Sequence, residues 1–249
     1  ILAEDTRHTR RLLSAHNLKK KLIAYHEHNE VQRTPELIEK LEAGLQLALV
    51  TDAGTPAVSD PGYRLIEAAA RKAIKVVPLP GASAALTALS AAGLPTDSFT
   101  FAGFPSRKKE RRMDQLRKLA ALPHVVIFYQ SPRRLVAFVK EVLDIFGNRP
   151  AVVARELTKI HEEFIRGDLS EVLAELEKRD TIKGECTLLV GGAEKRVATA
   201  DDIDTAIKAA LEKKDVSLSK MSKALAKQLG TSRKMVYDRA LVLKKDHPK

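Results

Sequence analysis

The sequence has few of the residues and runs that mark extracellular and membrane proteins. It holds one cysteine, Cys186, in 249 residues, which excludes an intramolecular disulfide and any metal site built from several cysteines. That usage is typical of a reducing cytoplasm. No apolar run approaches the roughly 18 residues that a membrane span needs, and no secretory signal peptide opens the chain. We therefore expect a cytoplasmic protein that has no membrane partner.

Several common cofactor and catalytic motifs are also missing. No G-x-G-x-x-G follows a strand, no phosphate loop of the Walker type is present, and no Ser-His-Asp order can be defended. These absences weaken the dehydrogenase, nucleotide hydrolase and serine hydrolase classes. A His-x-His pair, His26 and His28, has no third ligand at supporting spacing, so we predict no metal site.

The pattern of apolar segments predicts an α/β fold, because short apolar strands alternate with amphipathic helices. We expect one α/β domain over residues 1–94 and a second over residues 95–193, with the boundary near Gly93-Leu94-Pro95. Strands are predicted at Leu45–Val50 and Ile74–Pro78, among others. A helix is predicted to start at Thr34-Pro35, since proline favours the first helical turn.

The stretch from Leu49 to Gly62 is the most informative part of the first domain. It begins as an apolar strand, continues as a loop of about ten residues and leads into a helix at Tyr63, where two to six residues would connect such elements. Loops at the carboxyl ends of strands are the usual ligand sites of open α/β sheets. Asp52 and Asp60 bracket this loop. The alternative is an elaborate surface loop without a ligand.

Positive charge is concentrated in two segments. The net charge is +11, and residues 106–118 and residues 200–249 each carry a net charge of +5. Two basic segments on a nearly neutral body indicate a polyanionic partner, most simply a nucleic acid. In the first segment the predicted RNA-binding residues are Arg107, Lys108, Lys109, Arg111 and Arg112.

Residues 200–249 have an all-helical pattern. Helices are predicted over Asp201–Glu212, Ser219–Leu229 and Ser232–Lys244, and the last two, joined at Gly230, have helix-turn-helix spacing. The predicted core of this tail is Ala224, Leu225, Leu229 and Val236, and its predicted RNA-binding residues are Arg233, Lys234 and Arg239. The alternative is a dimerisation tail.

Five motifs together resemble the ribosomal RNA small subunit methyltransferase I family, the cytidine-2′-O-methyltransferases, over the whole chain. The motifs are Glu4-Asp5-Thr6-Arg7-His8-Thr9, Tyr25-His26-Glu27-His28-Asn29-Glu30, Val50 to Gly62, Pro80-Gly81-Ala82-Ser83-Ala84 and Ala154-Arg155-Glu156-Leu157-Thr158-Lys159. The resemblance implies two αβα domains of the tetrapyrrole-methylase type, with S-adenosylmethionine bound in the cleft between them. It also implies methylation of a cytidine in the decoding region of small-subunit rRNA, on naked rRNA or the 30S subunit, by a homodimer. The family's first strand and its Pro-x-Gly-Asn loop would precede Ile1.

The resemblance also implies roles for individual residues. The methyl donor would lie against Asp52, Ala53, Gly54, Thr55, Ala82, Ser83 and Ala84. The acceptor ribose and its phosphates would meet Glu4, Asp5, Arg7, Arg155 and Glu156. The general base is left open among Glu4, Asp5 and Glu156. Two other functions compete, a small-molecule methylase acting on tetrapyrrole-like acids and a ligand-sensing regulator with a DNA-binding tail.

Overall fold

A computed structural model describes residues 1–193, 199–211 and 217–246, and these residues form an α/β fold, as predicted. The strands are β1 (Leu2–Ala3), β2 (Ile23–Ala24), β3 (Leu49–Val50), β4 (Phe99–Gly103), β5 (Val125–Gln130), β6 (Pro150–Arg155), β7 (Glu163–Asp168) and β8 (Cys186–Val190). The helices are α1 (Thr6–Ala15), α2 (Glu30–Glu42), α3 (Tyr63–Arg71), α4 (Ala84–Ala92), α5 (Lys109–Ala120), α6 (Pro132–Phe146), α7 (Leu169–Glu177), α8 (Ala200–Leu211), α9 (Leu218–Leu229) and α10 (Arg233–Asp246). Residues 1–191 form one compact unit and residues 192–249 another. None of the helices described has the length and apolar character to cross a membrane.

The first sheet is parallel and has the strand order β2-β1-β3. Leu2 in the central strand pairs with Ile23 on one side and with Leu49 on the other. The core beside this sheet is formed by side chains from β1, from the residue after β2 and from helices α2 and α3. These buried side chains include Leu2, Tyr25, Leu37, Ile38, Leu65 and Ala69. Because β1 and β3 run in parallel, the residues that follow them meet at the same edge of the sheet.

The second sheet has five strands in the order β4-β5-β8-β6-β7. Antiparallel pairing places Cys186 opposite both Gln130 and Arg155, so the carboxyl ends of β5 and β6 lie at one edge. Residues of alternating parity along β5 pack on opposite faces. Val126 and Phe128 join the core under α5, α6 and α7, while Val125 and Ile127 pack against α4.

Helix α4 completes the second face of the five-stranded sheet although it precedes that sheet in the chain. Ala85, Ala88 and Ala92 are buried against it, and alanine lets helix and sheet approach closely. Gly93 ends the helix in the left-handed conformation, with φ of 76°. The domain boundary predicted at residues 94 and 95 falls directly after this helix and stays a prediction.

Two predicted strands in the first domain differ from the structure. Ile74–Pro78 is not a strand, and Val76 and Val77 are 46% and 62% exposed. Within residues 1–193 no strand pairs with this segment, and β-branched residues favour a strand only where a neighbouring strand accepts their backbone hydrogen bonds. Of the predicted strand Leu45–Val50, only Leu49–Val50 forms a strand, and both of these residues are half-buried.

The start of α2 was also predicted wrongly. The helix begins at Glu30, and Pro35 lies inside it. Asn29 organises the turn before the helix, because its side-chain oxygen accepts a hydrogen bond from the His26 backbone at 2.9 Å. The hydroxyl of Thr34 donates to the Glu30 carbonyl at 2.6 Å within the first turn. These contacts start the helix earlier than the proline signal indicates.

The described residues of the second unit form three helices, and α9 and α10 have the predicted helix-turn-helix order. Gly230 ends α9 in the left-handed conformation, and the Ser217 side chain caps the start of the same helix. The core holds Leu225 and Val236 as predicted, and Leu229 packs against it half-buried. Ala226 takes the place of the predicted Ala224, which is exposed. The remaining core side chains are Ile203, Ile207, Met221, Ala240 and Leu243. Glu212, the predicted end of the first helix, lies outside the described residues.

An ion-pair network joins β6, β7 and the segment that follows α7. The carboxylate of Glu163 accepts from Arg155 Nε at 2.8 Å and from two nitrogens of Arg179 at 2.7 Å. The hydrogen bonds from Arg179 and then from Arg155 lower the pKa of Glu163 to about 2. The ion pair with Glu163 also fixes the side chain of Arg155 at the end of β6.

Glu163→Gln should therefore lower the free energy of unfolding at pH 7 by about 1–2 kcal/mol, a range discounted because the side chain is partly exposed. The contribution of the charged Glu163 is present above its unfolded pKa near 4.5 and is lost as the pH falls toward 2. Urea unfolding at several pH values should show the difference from the parent protein narrowing between pH 4.5 and 2.

Glu175→Gln is the matched control, because this carboxylate meets the same guanidinium at 3.4 Å and is 42% exposed. Its replacement should cost clearly less stability than Glu163→Gln, because an exposed ion pair contributes little. Equal losses in the two variants would show that the network has no special role.

Candidate active site

The ends of β1 and β3 bring together residues that lie about 47 positions apart in the chain. Glu4 follows β1, and Thr51 and Asp52 follow β3. The hydroxyl of Thr51 donates to Glu4 Oε2 at 2.6 Å, and the backbone N–H of Asp52 donates to the same oxygen at 3.3 Å. The structure thus joins two predicted site residues, Glu4 and Asp52, through Thr51, which the sequence analysis did not single out.

Asp5 has a structural task beside this pair. Its side chain caps α1 by accepting from the Arg7 backbone N–H at 2.8 Å, and it also accepts from the Arg7 guanidinium at 3.1 Å. Arg7 lowers the pKa of Asp5 to about 2. The backbone N–H of Asp5 donates to Asp52 Oδ1 at 3.3 Å. A carboxylate held ionised in this way is a weaker proton acceptor, and its side chain also positions the start of α1. The catalytic roles predicted for Asp5 and Arg7 stay predictions.

Asp60 is the carboxylate with the opposite environment. Burial is the largest cause that raises its pKa to about 6, and the negative charges of Glu4, Asp52 and Glu185 add to the effect. A hydrogen bond with Thr51 opposes the shift. The predicted site did not include Asp60, although the unusual length of its loop and the matching Asp52 at the other end were visible signals.

The loop that carries Asp60 is held in a strained conformation. Ala57 and Ser59 have φ values of 67° and 65°, which side chains other than glycine seldom adopt. Strain of this kind costs of order 1 kcal/mol per residue and is concentrated at functional sites. Gly62 has φ of 134°, and a Cβ there would lie 2.6 Å from Leu49 Cδ2. The positive φ is the reason that this position favours glycine, and a Cβ would in addition force the Leu49 side chain to move.

The two segments predicted to bind the methyl donor lie next to each other. Thr55 donates its hydroxyl to the carbonyl of Ala82 at 3.0 Å. Ser83 is the N-cap of α4, which begins at Ala84. Ala53 and Gly54 are exposed, and a Cβ at Gly54 would meet nothing within 4 Å. The backbone of this surface is open to a flat ligand.

Tyr129 connects these segments to the second sheet. It lies near the carboxyl end of β5, and its hydroxyl accepts from the Ala85 backbone N–H at 3.1 Å. Burial raises the pKa of Tyr129, and the charges of Asp60 and Glu185 raise it further. This tyrosine was missed in the sequence because a single aromatic residue in an apolar strand is usually part of the core.

The motif Arg155 to Lys159 forms a closed local network. Arg155 donates to Glu163 at 2.8 Å and to the Lys183 carbonyl at 2.9 Å. Glu156, with φ of 51°, accepts from Lys159 Nζ at 2.8 Å and from the Glu185 backbone at 3.0 Å. Lys159 lowers the pKa of Glu156. Both residues lie at the expected edge, but their polar groups are already engaged within the protein.

Comparison with known proteins identifies the family. The sequence profile of the tetrapyrrole (corrin/porphyrin) methylases matches residues 1–173. Ribosomal RNA small subunit methyltransferase I of Halalkalibacterium halodurans is 47% identical over 197 residues, which are 79% of this chain and 68% of that protein. The protein of that name from Mesorhizobium japonicum is 42% identical over 245 residues, 98% of this chain and 83% of that protein. The chain belongs to the ribosomal RNA small subunit methyltransferase I family.

Two solved structures share the fold of this chain. The methyltransferase CobJ has a TM-score of 0.53 at 19% identity, covering 77% of this chain and 92% of its own. Cobalt precorrin-4 methyltransferase CbiF has a TM-score of 0.52 at 16% identity, covering 76% and 82%. At this identity the likeness shows the tetrapyrrole-methylase fold alone.

The first basic segment of this methyltransferase-family chain divides into two kinds of residue. Arg107, Lys108, Lys109 and Arg111 are exposed. Arg112 is different, because its guanidinium makes a two-point ion pair with Glu141 at 2.7 and 2.8 Å and donates to the Ser106 carbonyl at 2.9 Å. Arg112 therefore fixes the loop that carries the exposed cations.

The cations of the tail are also unequal. Arg239 makes a two-point ion pair with Asp204 at 2.6 Å, and Arg233 donates to Ser219 at 2.8 Å. Lys234 is exposed on α10. Within the described residues no group of three or more His, Cys, Asp or Glu side chains is arranged to hold a metal ion.

The raised pKa of Asp60 implies that the free energy of unfolding depends on the charge of this carboxylate. The folded-state pKa near 6 exceeds the reference value of 3.8, so the charged carboxylate destabilises the folded protein above pH 6, and this cost is absent below about pH 4. Asp60→Asn should raise the free energy of unfolding at pH 8 by roughly 1 kcal/mol, after allowance for solvent screening. Thermal unfolding at pH 8 and at pH 4 measures the change.

Asp5→Asn is the control with the opposite sign. The pKa of Asp5 is lowered, so its replacement should reduce stability at neutral pH. A lower melting temperature of Asp60→Asn at pH 8 would show that the Asp60 carboxylate is not under electrostatic strain.

Proposed function

We propose that this protein transfers the methyl group of S-adenosylmethionine to the 2′-hydroxyl of a cytidine in small-subunit rRNA. The observation that carries the proposal is the set of carboxylates at one sheet edge, Glu4, Asp52 and Asp60, next to an open backbone surface, in a chain of this family. A hydroxyl acceptor must lose a proton, and this edge offers a place for it.

The residues present fit a sulfonium donor. S-adenosylmethionine supplies a methyl group on a positively charged sulfur. The carboxylates of Asp52 and Asp60 favour a positive charge beside them, and the exposed backbone near Gly54 and Ala82 suits an adenosine. The segment Asp52–Thr55 and the start of α4 are held together by the hydrogen bond from Thr55 to Ala82, so this surface is preorganised.

The transfer itself asks little covalent chemistry of the protein. The ribose oxygen forms a bond to the methyl carbon as the bond from that carbon to sulfur breaks, and the protein must align the groups and exclude water. We assign the ribose proton to Asp60, because a base with a pKa near 6 is mostly ionised at pH 7 and still basic enough to accept it. Besides burial, the negative charge of Glu4, which Thr51 holds in place, raises the pKa of Asp60 and so adds to its basicity. Asp5 and Glu156 are weaker candidates because their pKa values are lowered.

Contact with RNA belongs to the exposed cations. Arg107, Lys108, Lys109 and Arg111 extend from the loop and first turn of α5 and suit phosphate oxygens. Arg112 positions them through Glu141. In the tail, Lys234 is the most available of the three predicted cations, since Arg239 is paired with Asp204 and Arg233 with Ser219. The predicted homodimer, the cytoplasmic location and the choice between naked rRNA and the 30S subunit stay predictions.

The function is tested with the intact protein and labelled S-adenosylmethionine. Small ribosomal subunits, naked small-subunit rRNA and a tetrapyrrole acid are offered separately. We expect label in RNA, at one cytidine that resists alkaline cleavage because 2′-O-methylation removes the internal nucleophile. Label in the tetrapyrrole alone would replace this proposal with the small-molecule methylase.

The same assay predicts a pH dependence. The transfer rate should rise with pH through about 6, as Asp60 loses its proton, and should level off above pH 7. Asp60→Asn should lower the single-turnover rate by about 10²- to 10⁴-fold and remove this limb. An unchanged limb in Asp60→Asn would assign the proton to another group.

The basic segment predicts a change in salt dependence. Replacing Lys108, Lys109 and Arg111 with alanine should weaken RNA binding and reduce the slope of log Kd against log salt by about 2, at roughly 0.7 per phosphate contact on single strands. Fluorescence anisotropy over 50–300 mM salt measures the slope. Arg117→Ala is the control on the same helix, since that residue pairs with Asp114 at 3.0 Å. An unchanged slope in the triple variant would make the segment a solvated surface.

A further inference from the structure

Phe104 is an aromatic residue that the fold turns outward. The ladder between β4 and β5 shifts register between Phe101 and Gly103, and Gly103 has φ of 63°. A bulge of this kind changes the direction of the side chains that follow it. Phe104 comes directly after the bulge and is 55% exposed. An exposed phenylalanine ring at a strand end has no role in the cores described above.

The ring is nevertheless held in place from below. Two phenylalanine rings pack edge to face against the ring of Tyr129. The centroid of Phe104 lies 5.5 Å from the Tyr129 centroid, and that of Phe101 lies 4.8 Å from it. The hydroxyl of Tyr129 is fixed by the Ala85 backbone. Phe104 therefore stands on a rigid aromatic support, which lowers the entropy cost of using its outer face to bind a ligand.

The position of the ring links the carboxylates to the basic segment. A Cβ at Gly103 would lie 3.1 Å from Ser59 Oγ, so the loop that carries Asp60 lies against the residue before Phe104. On the other side, Arg107 and Lys108 follow within four residues. Arg112 fixes their loop, because its guanidinium donates to the carbonyls of Ser106 and Arg107 at 2.9 and 3.2 Å. One short path thus runs from Asp60 past Phe104 to the exposed cations.

We propose that the exposed face of Phe104 is a stacking platform for a nucleobase of the RNA, at or next to the ribose that is methylated. The inference rests on the proposed function. A ribose can reach the carboxylates only if its nucleotide leaves the RNA stack, and an aromatic ring compensates for the lost base stacking. Phosphate contacts on the following cations would hold the backbone on the same path. Phe104 is on this account a positioning residue for the acceptor.

The test is a double-mutant cycle in which the stacking contact is removed either from the protein, by Phe104→Ala, or from the RNA, by an abasic site. The intact protein and Phe104→Ala are compared on an RNA that spans the decoding region and on the same RNA with an abasic site at the target cytidine or at its neighbour. On intact RNA, Phe104→Ala should raise the Kd or KM about 5- to 100-fold, while Phe104→Tyr stays within about twofold. On the RNA whose stacked base is missing, Phe104→Ala should bind as well as the parent protein.

Phe99→Ala is the matched control. Phe99 begins the same strand, is 39% exposed and lies at the opposite end from Phe104, so its loss should leave RNA binding within about twofold. S-adenosylmethionine affinity, measured by calorimetry, should be the same in all variants. An equal loss for Phe104→Ala on intact and on both abasic RNAs would overturn the stacking assignment.

Two further outcomes would also overturn it. A change in sedimentation of Phe104→Ala from one oligomeric state to another would assign the ring to a contact between copies of the chain, and a loss of donor affinity would assign it to the donor surface. Failure of the proposed function is distinguishable, because the parent protein would then methylate no RNA at all. If the parent protein methylates RNA but Phe104→Ala binds intact RNA as well as the parent does, only the stacking assignment is refuted.

Discussion

The hydrogen bond between Thr51 and Glu4 is the contact on which the candidate site depends. It joins the residues after two parallel strands, at 2.6 Å, at the sheet edge where the carboxylates of Glu4, Asp52 and Asp60 influence one another. Close carboxylates repel one another, and partial burial adds to the cost of their charge. The energy that holds them there comes from elsewhere, mainly from the buried side chains of the two sheets. The strained loop at Ala57 and Ser59 is part of the same arrangement.

Each acidic residue of the site has a chemistry that follows from its neighbours. Asp5 and Glu156 each meet a cation and stay ionised, so they hold backbone elements in place. Asp60 is partly buried among negative charges and meets no such cation among the groups that shift its pKa, so it takes up a proton more readily. Residue type alone cannot separate these roles, because all are carboxylates after a strand or in a loop. The division appears only when the partners are known.

The sequence predicted the α/β class and the helix-turn-helix order of the tail, and the elements it missed have physical causes. Local signals placed the helix-turn-helix pair and its turn at Gly230 correctly, since residues that end or cap a helix act within one turn. Ile74–Pro78 was predicted as a strand from composition, but a strand requires a partner and none pairs with it in residues 1–193. The contacts of Tyr129 and Arg112 could not be predicted from the sequence, because each is made with a residue far along the chain, Ala85 in one case and Glu141 in the other. The RNA contact predicted for Arg112 stays a prediction.

The same distinction explains why basic residues are unequal partners for RNA. A run of cations in the sequence suggests a uniform surface, yet Arg112 and Arg239 each make a two-point ion pair with a carboxylate of the chain. Such a guanidinium contributes less free charge to a phosphate, because part of its potential is compensated and binding would require breaking a good hydrogen-bond geometry. What it supplies instead is position. Arg112 fixes Ser106 and Arg107 beside Phe104, so a residue predicted to bind RNA directly shapes the surface on which the neighbouring cations and the aromatic ring are presented.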